Sequence, residues 1–152
     1  MELLEGDMQR QLRASMQAFP EGRWAPEVVV CKANLRRTDT ARFIPVALSI
    51  ADALHQSVQV MGLMGNGVVY LAFPDVSSTP DAVEALAKAI TQLRHHACDV
   101  GGNLIVESAP IALKRQVDVW GDVGALLHLM KQLKAKLDAS GLLNPGRFVG
   151  GI

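Results

Sequence analysis

The dipeptide Asn66-Gly67 constrains the fold of this chain more than any other feature, because it separates two runs rich in apolar and β-branched residues. This arrangement is the strongest short-range signal for a β-hairpin. The sequence predicts a hairpin over Val58–Phe73, with Asn66 and Gly67 as a two-residue type I′ loop. In that register Leu63 faces Tyr70 directly across the two strands.

Side chains along the two predicted strands alternate between two faces that differ in character. One face is apolar throughout and consists of Val58, Val60, Met64, Val69, Leu71 and Phe73. Helices are therefore expected to pack on it. The other face, called here the mixed face, consists of Gln59, Met61, Leu63, Tyr70 and Ala72. Any functional surface of the sheet is expected on this mixed face.

Apolar periodicity predicts four helices and two further strands around the hairpin. The predicted helices are Glu2–Gln17, Ala41–His55, Pro80–Ala97 and Asp122–Asp138. The further strands are Glu27–Leu35 and Asn103–Ser108. Thr79 is expected to cap the third helix, with Pro80 at its first position.

This order of elements predicts an α+β fold of the ferredoxin-like type, βαββαβ. Two helices cover one face of an antiparallel sheet in which the first strand lies between the third and the fourth. The expected organisation is an N-terminal helix and linker over residues 1–26 and a ferredoxin-like unit over residues 27–116. A C-terminal helix and tail over residues 117–152 are expected to pack with the same domain.

Composition bears on the partners of the chain. Fifteen basic and 15 acidic residues give a net charge of zero, which argues against a nucleic-acid partner. A hydrophobic fraction of 49% favours a docking surface or self-association. Cys31 and Cys98 lie in different predicted elements and are expected to be free thiols in a reducing compartment. Neither a secretory signal nor a membrane span is expected, so the sequence predicts a cytoplasmic protein.

Motifs of common active sites are missing, since the sequence has no phosphate-binding loop and no nucleophile elbow. His95 and Cys98 share one helix face, but two ligands do not make a metal site. Lys32 and Glu107 are expected on the mixed face, on adjacent strands. A cross-strand ion pair without further function is the simplest interpretation of these two residues.

Four segments together resemble the C-terminal part of FAD-linked oxidases of the vanillyl-alcohol-oxidase type. They are Gly101-Gly102, Glu107-Ser108, the Val-Asp-Val-Trp-Gly run at 117–121 and the Gly-Leu-Leu-Asn-Pro-Gly-Arg-Phe run at 141–148. Residues 28–152 are similar in particular to the FAD-binding subunit of bacterial glycolate oxidase. The Leu-Asn-Pro-Gly-Arg-Phe run is the most specific part of the likeness.

The resemblance implies a part in the oxidation of 2-hydroxy acids, with FAD as the cofactor of the complete protein. Catalytic relatives carry H-x-G-D-G-N-x-H over the hairpin and Glu-His after the glycine pair, and these side chains bind a divalent metal. Here Leu63 and Tyr70 occupy the two histidine positions, and Ser108 replaces the histidine that follows Glu107. Because leucine has no donor atom, the resemblance implies a lost metal site and no catalytic residue in this chain.

Two groups of candidate site residues follow from the resemblance. The substrate-facing group consists of Lys32, Leu63, Tyr70 and Glu107. The group on the flavin side of the tail consists of Asn144, Pro145, Gly146 and Arg147.

The implied partners are an FAD-binding domain, which these 152 residues do not contain, or sister subunits of a glycolate-oxidase-like complex. Such a complex is cytoplasmic or is held at a membrane by its other subunits, and the isolated chain is expected to be a homodimer. The alternative is a free-standing ferredoxin-like module that self-associates through its mixed face and needs no flavin.

Overall fold

The computed structural model describes residues 5–20, 25 and 27–152. Its fold is α+β with a four-stranded antiparallel sheet, which confirms the ferredoxin-like prediction. The strands are β1 (Val29–Asn34), β2 (Gln59–Leu63), β3 (Val68–Phe73) and β4 (Asn103–Ser108). Their order in the sheet is β2-β3-β1-β4, so the first strand lies between the third and the fourth as predicted.

The described helices are α1 (Asp7–Ala18), α2 (Thr40–Ala53), α3 (Pro80–Asp99), α4 (Ile111–Lys114) and α5 (Leu126–Leu137). The predicted start of the first helix at Glu2 lies outside the described residues, and α1 begins only after Gly6, whose φ is 64°. α5 begins four residues later than predicted, after Gly124 with φ 58°. α4 was not predicted, because four residues carry too little periodicity. No described helix has both the length and the apolar character to cross a membrane.

The core lies between the sheet and the helices α2 and α3. The apolar hairpin face is buried there as predicted, with Val69, Leu71 and Phe73 at most 1% exposed. Large side chains of the two helices fill the other side, chiefly Phe43, Leu86, Ile90 and Leu93. Met64, which the two-residue loop assigns to the same apolar face, lies instead in the turn and is 42% exposed.

The hairpin turn is longer than predicted. Leu63 pairs with Val68, and Met61 pairs with Tyr70, so residues 64–67 form a four-residue loop. Within this loop only Gly67 has a left-handed backbone, with φ 73°. A type I′ turn needs positive φ at both central residues. The predicted type I′ loop and the direct pairing of Leu63 with Tyr70 are therefore wrong.

A contact outside the hairpin holds the longer turn in place. The backbone N–H of Leu35 donates to the carbonyl oxygen of Gly67 at 2.7 Å. The approach is so close that a Cβ atom on residue 67 would lie 2.2 Å from the carbonyl oxygen of Leu35. Because the register differs from the prediction by two residues, every side chain in the paired strands keeps its predicted face, and Met64 in the turn is the exception. Leu63 and Tyr70 thus still share the mixed face.

The two cysteines are free thiols in very different surroundings. Burial raises the pKa of Cys31 to about 12, with Arg94 opposing this shift and Glu107 adding to it. Cys98 is exposed.

We expect one thiol per native chain to react with Ellman's reagent at pH 8, and two after unfolding in urea, because only the accessible thiolate attacks. A Cys98→Ser variant that still reacts rapidly in the native state would contradict the burial of Cys31.

Candidate functional site

Lys32 lies at the centre of the mixed face, in the middle of β1. Its Nζ is 3.8 Å from Oε1 of Glu107 and 5.7 Å from the centroid of the Tyr70 ring. The side chains of Lys32 and Glu107 are 28% and 26% exposed, so water still reaches both. The structure therefore brings together three of the four residues that were predicted to face a substrate.

The sheet register produces this cluster. Lys32 pairs with Tyr70 on β3 and with Ile105 on β4. The pairing of β1 with β4 is irregular beside Cys31, and this irregularity leaves Glu107 as an additional residue in β4. Such a bulge redirects a side chain locally, and here it accompanies the approach of Glu107 to Lys32.

Leu63, the fourth predicted residue, lies at the end of β2 on the same face. It is a diagonal neighbour of Tyr70, and diagonal neighbours lie roughly 7–8 Å apart, compared with roughly 5 Å for direct partners. The direct partner of Tyr70 is Met61. The match of Leu63 and Tyr70 to two metal-binding histidines thus loses the support of direct pairing, although both side chains line one groove.

The residues of the mixed face do not fit a divalent metal ion. The carboxylate of Glu107 is already paired with the ammonium group of Lys32, and the side chain of Leu63 has no atom that could bind a metal. In the part of the chain that the structure describes, no three His, Cys, Asp or Glu side chains form a ligand set. His96 instead stacks on Phe43, with ring centroids 5.8 Å apart.

α1 stands over the β2–β3 side of the mixed face, a placement that the sequence did not predict. A groove of about 620 Å³ separates the helix from the sheet. Leu12, Arg13 and Met16 line it from the helix, and Met61, Leu63 and Tyr70 line it from the sheet.

Trp120 fixes the C-terminal tail to the domain. Its Nε1–H donates to the carbonyl oxygen of Arg147 at 3.3 Å, and its ring packs edge-on against Phe148 with centroids 4.9 Å apart. Within the tail, the N–H of Arg147 donates to the carbonyl oxygen of Asn144, which adopts φ 46°. All four predicted flavin-side residues, 144–147, form this turn and are exposed.

Asp138 joins the tail to the end of α5. Its Oδ1 and Oδ2 accept the backbone N–H groups of Leu142 and Leu143 at 3.0 and 2.9 Å. Nζ of Lys134 lies 2.5 Å from Oδ2 and also donates to the carbonyl oxygen of Leu143. The hydrogen bond from Lys134, followed by that from the Leu143 amide, lowers the pKa of Asp138 to about 2.

This low pKa predicts a pH-dependent effect of Asp138→Asn. The folded-state pKa lies below the ordinary 3.8, so the stabilisation is complete above that value and is lost as the pH falls toward about 2. At pH 7 we expect Asp138→Asn to lower the urea midpoint, and the two proteins to converge as the pH falls from about 4 to about 2. Glu84→Gln is the matched control. Glu84 pairs with Lys88, and because the two side chains are 61% and 65% exposed, this ion pair contributes little to stability. An equal effect of both substitutions would contradict the role of Asp138.

Arg94 is a positioning residue that sequence reasoning missed. Its Nε donates to the carbonyl oxygen of Leu104 at 3.1 Å and its Nη2 to that of Asp118 at 2.5 Å. Gly121 adopts φ 76°, and a Cβ there would lie 3.0 Å from Nε of Arg94. The guanidinium thus holds the 117–121 segment, which carries Trp120. No sequence signal separates Arg94 from the other charged residues of α3.

Exposed leucines form a stripe along α5. The leucine stripe consists of Leu126, Leu129, Leu133 and Leu137, which are 51–80% exposed and recur at helical spacing. Leu142, Leu143 and Phe148 of the tail are exposed as well. α5 contains three lysines and no acidic residue. Exposed apolar surface of this kind is typical of interaction sites.

Comparison of the sequence with protein-family models and with curated proteins finds no match. Inferences about function therefore depend on the mixed face, the tail and the leucine stripe.

Proposed function

We propose that this chain is the C-terminal, substrate-side part of an FAD-dependent 2-hydroxy-acid oxidoreductase, similar to the FAD-binding subunit of glycolate oxidase. An FAD-binding domain or a sister subunit supplies the flavin, and the chain is not catalytic alone. The position of the tail carries the proposal. The segment most similar to the family, residues 143–148, is tied to Trp120 and, through Lys134, to α5. The turn that carries the resemblance is thus joined to α5, the helix that carries the leucine stripe.

The tail is better suited to contact part of a flavin than to bind a whole flavin. A groove of about 350 Å³ beside it is lined by Lys134, Leu143, Asn144, Arg147, Phe148 and Ile152. This volume is at the lower end for small-molecule sites and is too small for a whole dinucleotide. The exposed guanidinium of Arg147 is suited to a phosphate or a polar ring edge. We therefore assign the tail a contact to FAD that is bound mainly by the partner.

The mixed face supplies the substrate side of the proposed site. When bound, FAD supplies the two-electron oxidation of the hydroxyl-bearing carbon. Lys32 attracts the carboxylate of the hydroxy acid, and the contacts of Lys32 with Glu107 and Tyr70 fix the position of its ammonium group. Because the residues present do not fit a metal ion, the substrate is held by this cation and not by metal coordination.

The proposal is tested by isolating the tagged full chain from the cells that produce it. We expect a complex that absorbs near 370 and 450 nm, releases FAD on acid treatment and reduces a dye when glycolate or lactate is added. The same chain produced alone should be colourless. A native complex without flavin, or a chain that retains FAD by itself through gel filtration, would overturn the proposal.

A second candidate is a ferredoxin-like module that self-associates and has no flavin partner. The predicted self-association was through the mixed face, over which α1 stands, whereas the exposed leucine stripe favours pairing through α5, where two copies would cover each other's leucines. The two candidates differ in the flavin content of the native complex. For the first candidate we place the complex in the cytoplasm, or at a membrane through its other subunits.

A further inference from the structure

The groove between α1 and the sheet has apolar residues on both sides, yet the helix and the sheet do not pack against each other. Leu12 and Met16 face the groove from α1 and remain 48% and 45% exposed. Opposite them lie Met61 and Leu63 of β2. No residue of α1 is buried, so the helix stands away from the sheet instead of packing on it. Water in such a gap finds few hydrogen-bond partners, and an apolar group would replace it favourably.

One edge of the same groove is polar and positively charged. Gln9, Arg13 and Gln17 line it at four-residue intervals along α1, and thus on one side of the helix. Arg13 forms no ion pair with any residue that the structure describes. Lys32, over the ring of Tyr70, is paired with Glu107 and does not line the groove, so Arg13 supplies the positive charge of this edge. The groove therefore combines apolar walls with an edge that favours an anion.

We propose that this groove binds a single-chain carboxylate, with its hydrocarbon tail between α1 and β2 and its carboxylate at Arg13. The volume of about 620 Å³ lies within the range of small-ligand sites. Octanoate is a suitable probe, because its hydrocarbon tail fits well within this volume. The guanidinium matches a carboxylate through two parallel hydrogen bonds. The inference goes beyond the proposed oxidoreductase role, because it needs only this chain and neither flavin nor a partner.

Methionine methyl groups report directly on this site. Met16 and Met61 line the groove, whereas Met130 lies in α5 and serves as an internal reference. We expect octanoate, added below its micelle concentration, to shift the ¹³C-methyl signals of Met16 and Met61 saturably and to leave Met130 unchanged. Affinity should rise about tenfold from hexanoate to octanoate and again to decanoate, as expected for two further buried methylenes.

Arg13→Gln tests the charged end of the site. This exposed position tolerates glutamine without loss of the fold, and we expect octanoate to bind about tenfold more weakly. The variant should also lose the preference of the native chain for octanoate over octan-1-ol. Arg10→Gln is the matched control, because Arg10 lies on the same helix, pairs with Asp7 and does not line the groove. It should bind octanoate as the native chain does.

Several results would overturn the proposal. Shifts at Met130 equal to those at Met16 and Met61 would assign binding to the leucine stripe or to apolar surface in general. Binding that requires micelles or lipid vesicles would assign the groove to a membrane surface. Equal affinities for octanoate and octan-1-ol, or equal losses in Arg13→Gln and Arg10→Gln, would remove the carboxylate contact. Absence of any shift would show that the groove does not bind octanoate.

Discussion

Replacing Gly67 with alanine is expected to destabilise the protein by about 3 kcal/mol. The left-handed backbone of this residue, with φ 73°, costs an L side chain roughly 1–2 kcal/mol. In addition, the new Cβ would lie 2.2 Å from the carbonyl oxygen of Leu35, so the turn must move away from β1. That movement breaks the hydrogen bond from the N–H of Leu35 to the carbonyl oxygen of Gly67. Urea unfolding followed by circular dichroism measures the loss.

The same turn offers a matched control in Gly65. A Cβ on Gly65 would meet no atom within 4 Å, and the φ of this residue is not positive. Gly65→Ala is therefore expected to change the free energy of unfolding by less than about 1 kcal/mol, and stabilisation is the expected direction. Equal losses for both variants would show that the contact of the turn with Leu35 does not fix the hairpin.

Replacing Leu133 with aspartate is expected to weaken self-association of the isolated chain at least 100-fold. The chain alone leaves the leucine stripe uncovered, and a second copy is the partner available to it in solution. An aspartate at the centre of such an interface leaves a buried, unpaired charge and removes an apolar anchor, and together these cost about 3 kcal/mol or more. Sedimentation equilibrium over a wide range of concentrations gives the dimer dissociation constants.

Leu48→Asp provides the control for this substitution. Leu48 lies on α2, away from the stripe, and its exposure of 44% is close to the 51% of Leu133. The control should dimerise as the native chain does. Under the proposed function, Leu133→Asp should also fail to capture the flavin-bearing partner, whereas Leu48→Asp should retain it. A native chain that stays monomeric at high concentration would contradict the prediction.

The sequence predicted which side chains share a face but not the length of the turn between them. Strand alternation depends only on local backbone geometry, and for that reason the buried and mixed faces are as predicted. The Asn-Gly signal concerns two residues alone. It carries no information on the carbonyl of Leu35, which lies some thirty residues earlier in the sequence and excludes any side chain at residue 67. The observed loop is held by a tertiary contact that the local signal does not encode.

The candidate site was predictable where it depends on strand positions. Lys32 and Glu107 were expected on adjacent strands of one face, and they lie 3.8 Å apart. The placement of α1 over that face was not predictable, because periodicity identifies an apolar side of a helix but not the surface that it approaches. Arg94 was missed for a similar reason, since its two acceptors are backbone carbonyl groups, which the sequence does not distinguish.

The contact of Trp120 with Arg147 and Phe148 also has a spectroscopic consequence. The chain has two tryptophans, so Trp24→Phe leaves the indole of Trp120 as a single fluorophore located beside the tail. Tryptophan emission overlaps the near-ultraviolet absorption of oxidised flavin. Docking of a flavoprotein on the tail would therefore quench this emission by energy transfer, whereas pairing with a second colourless copy would leave it bright. One fluorescence titration thus distinguishes the two kinds of partner.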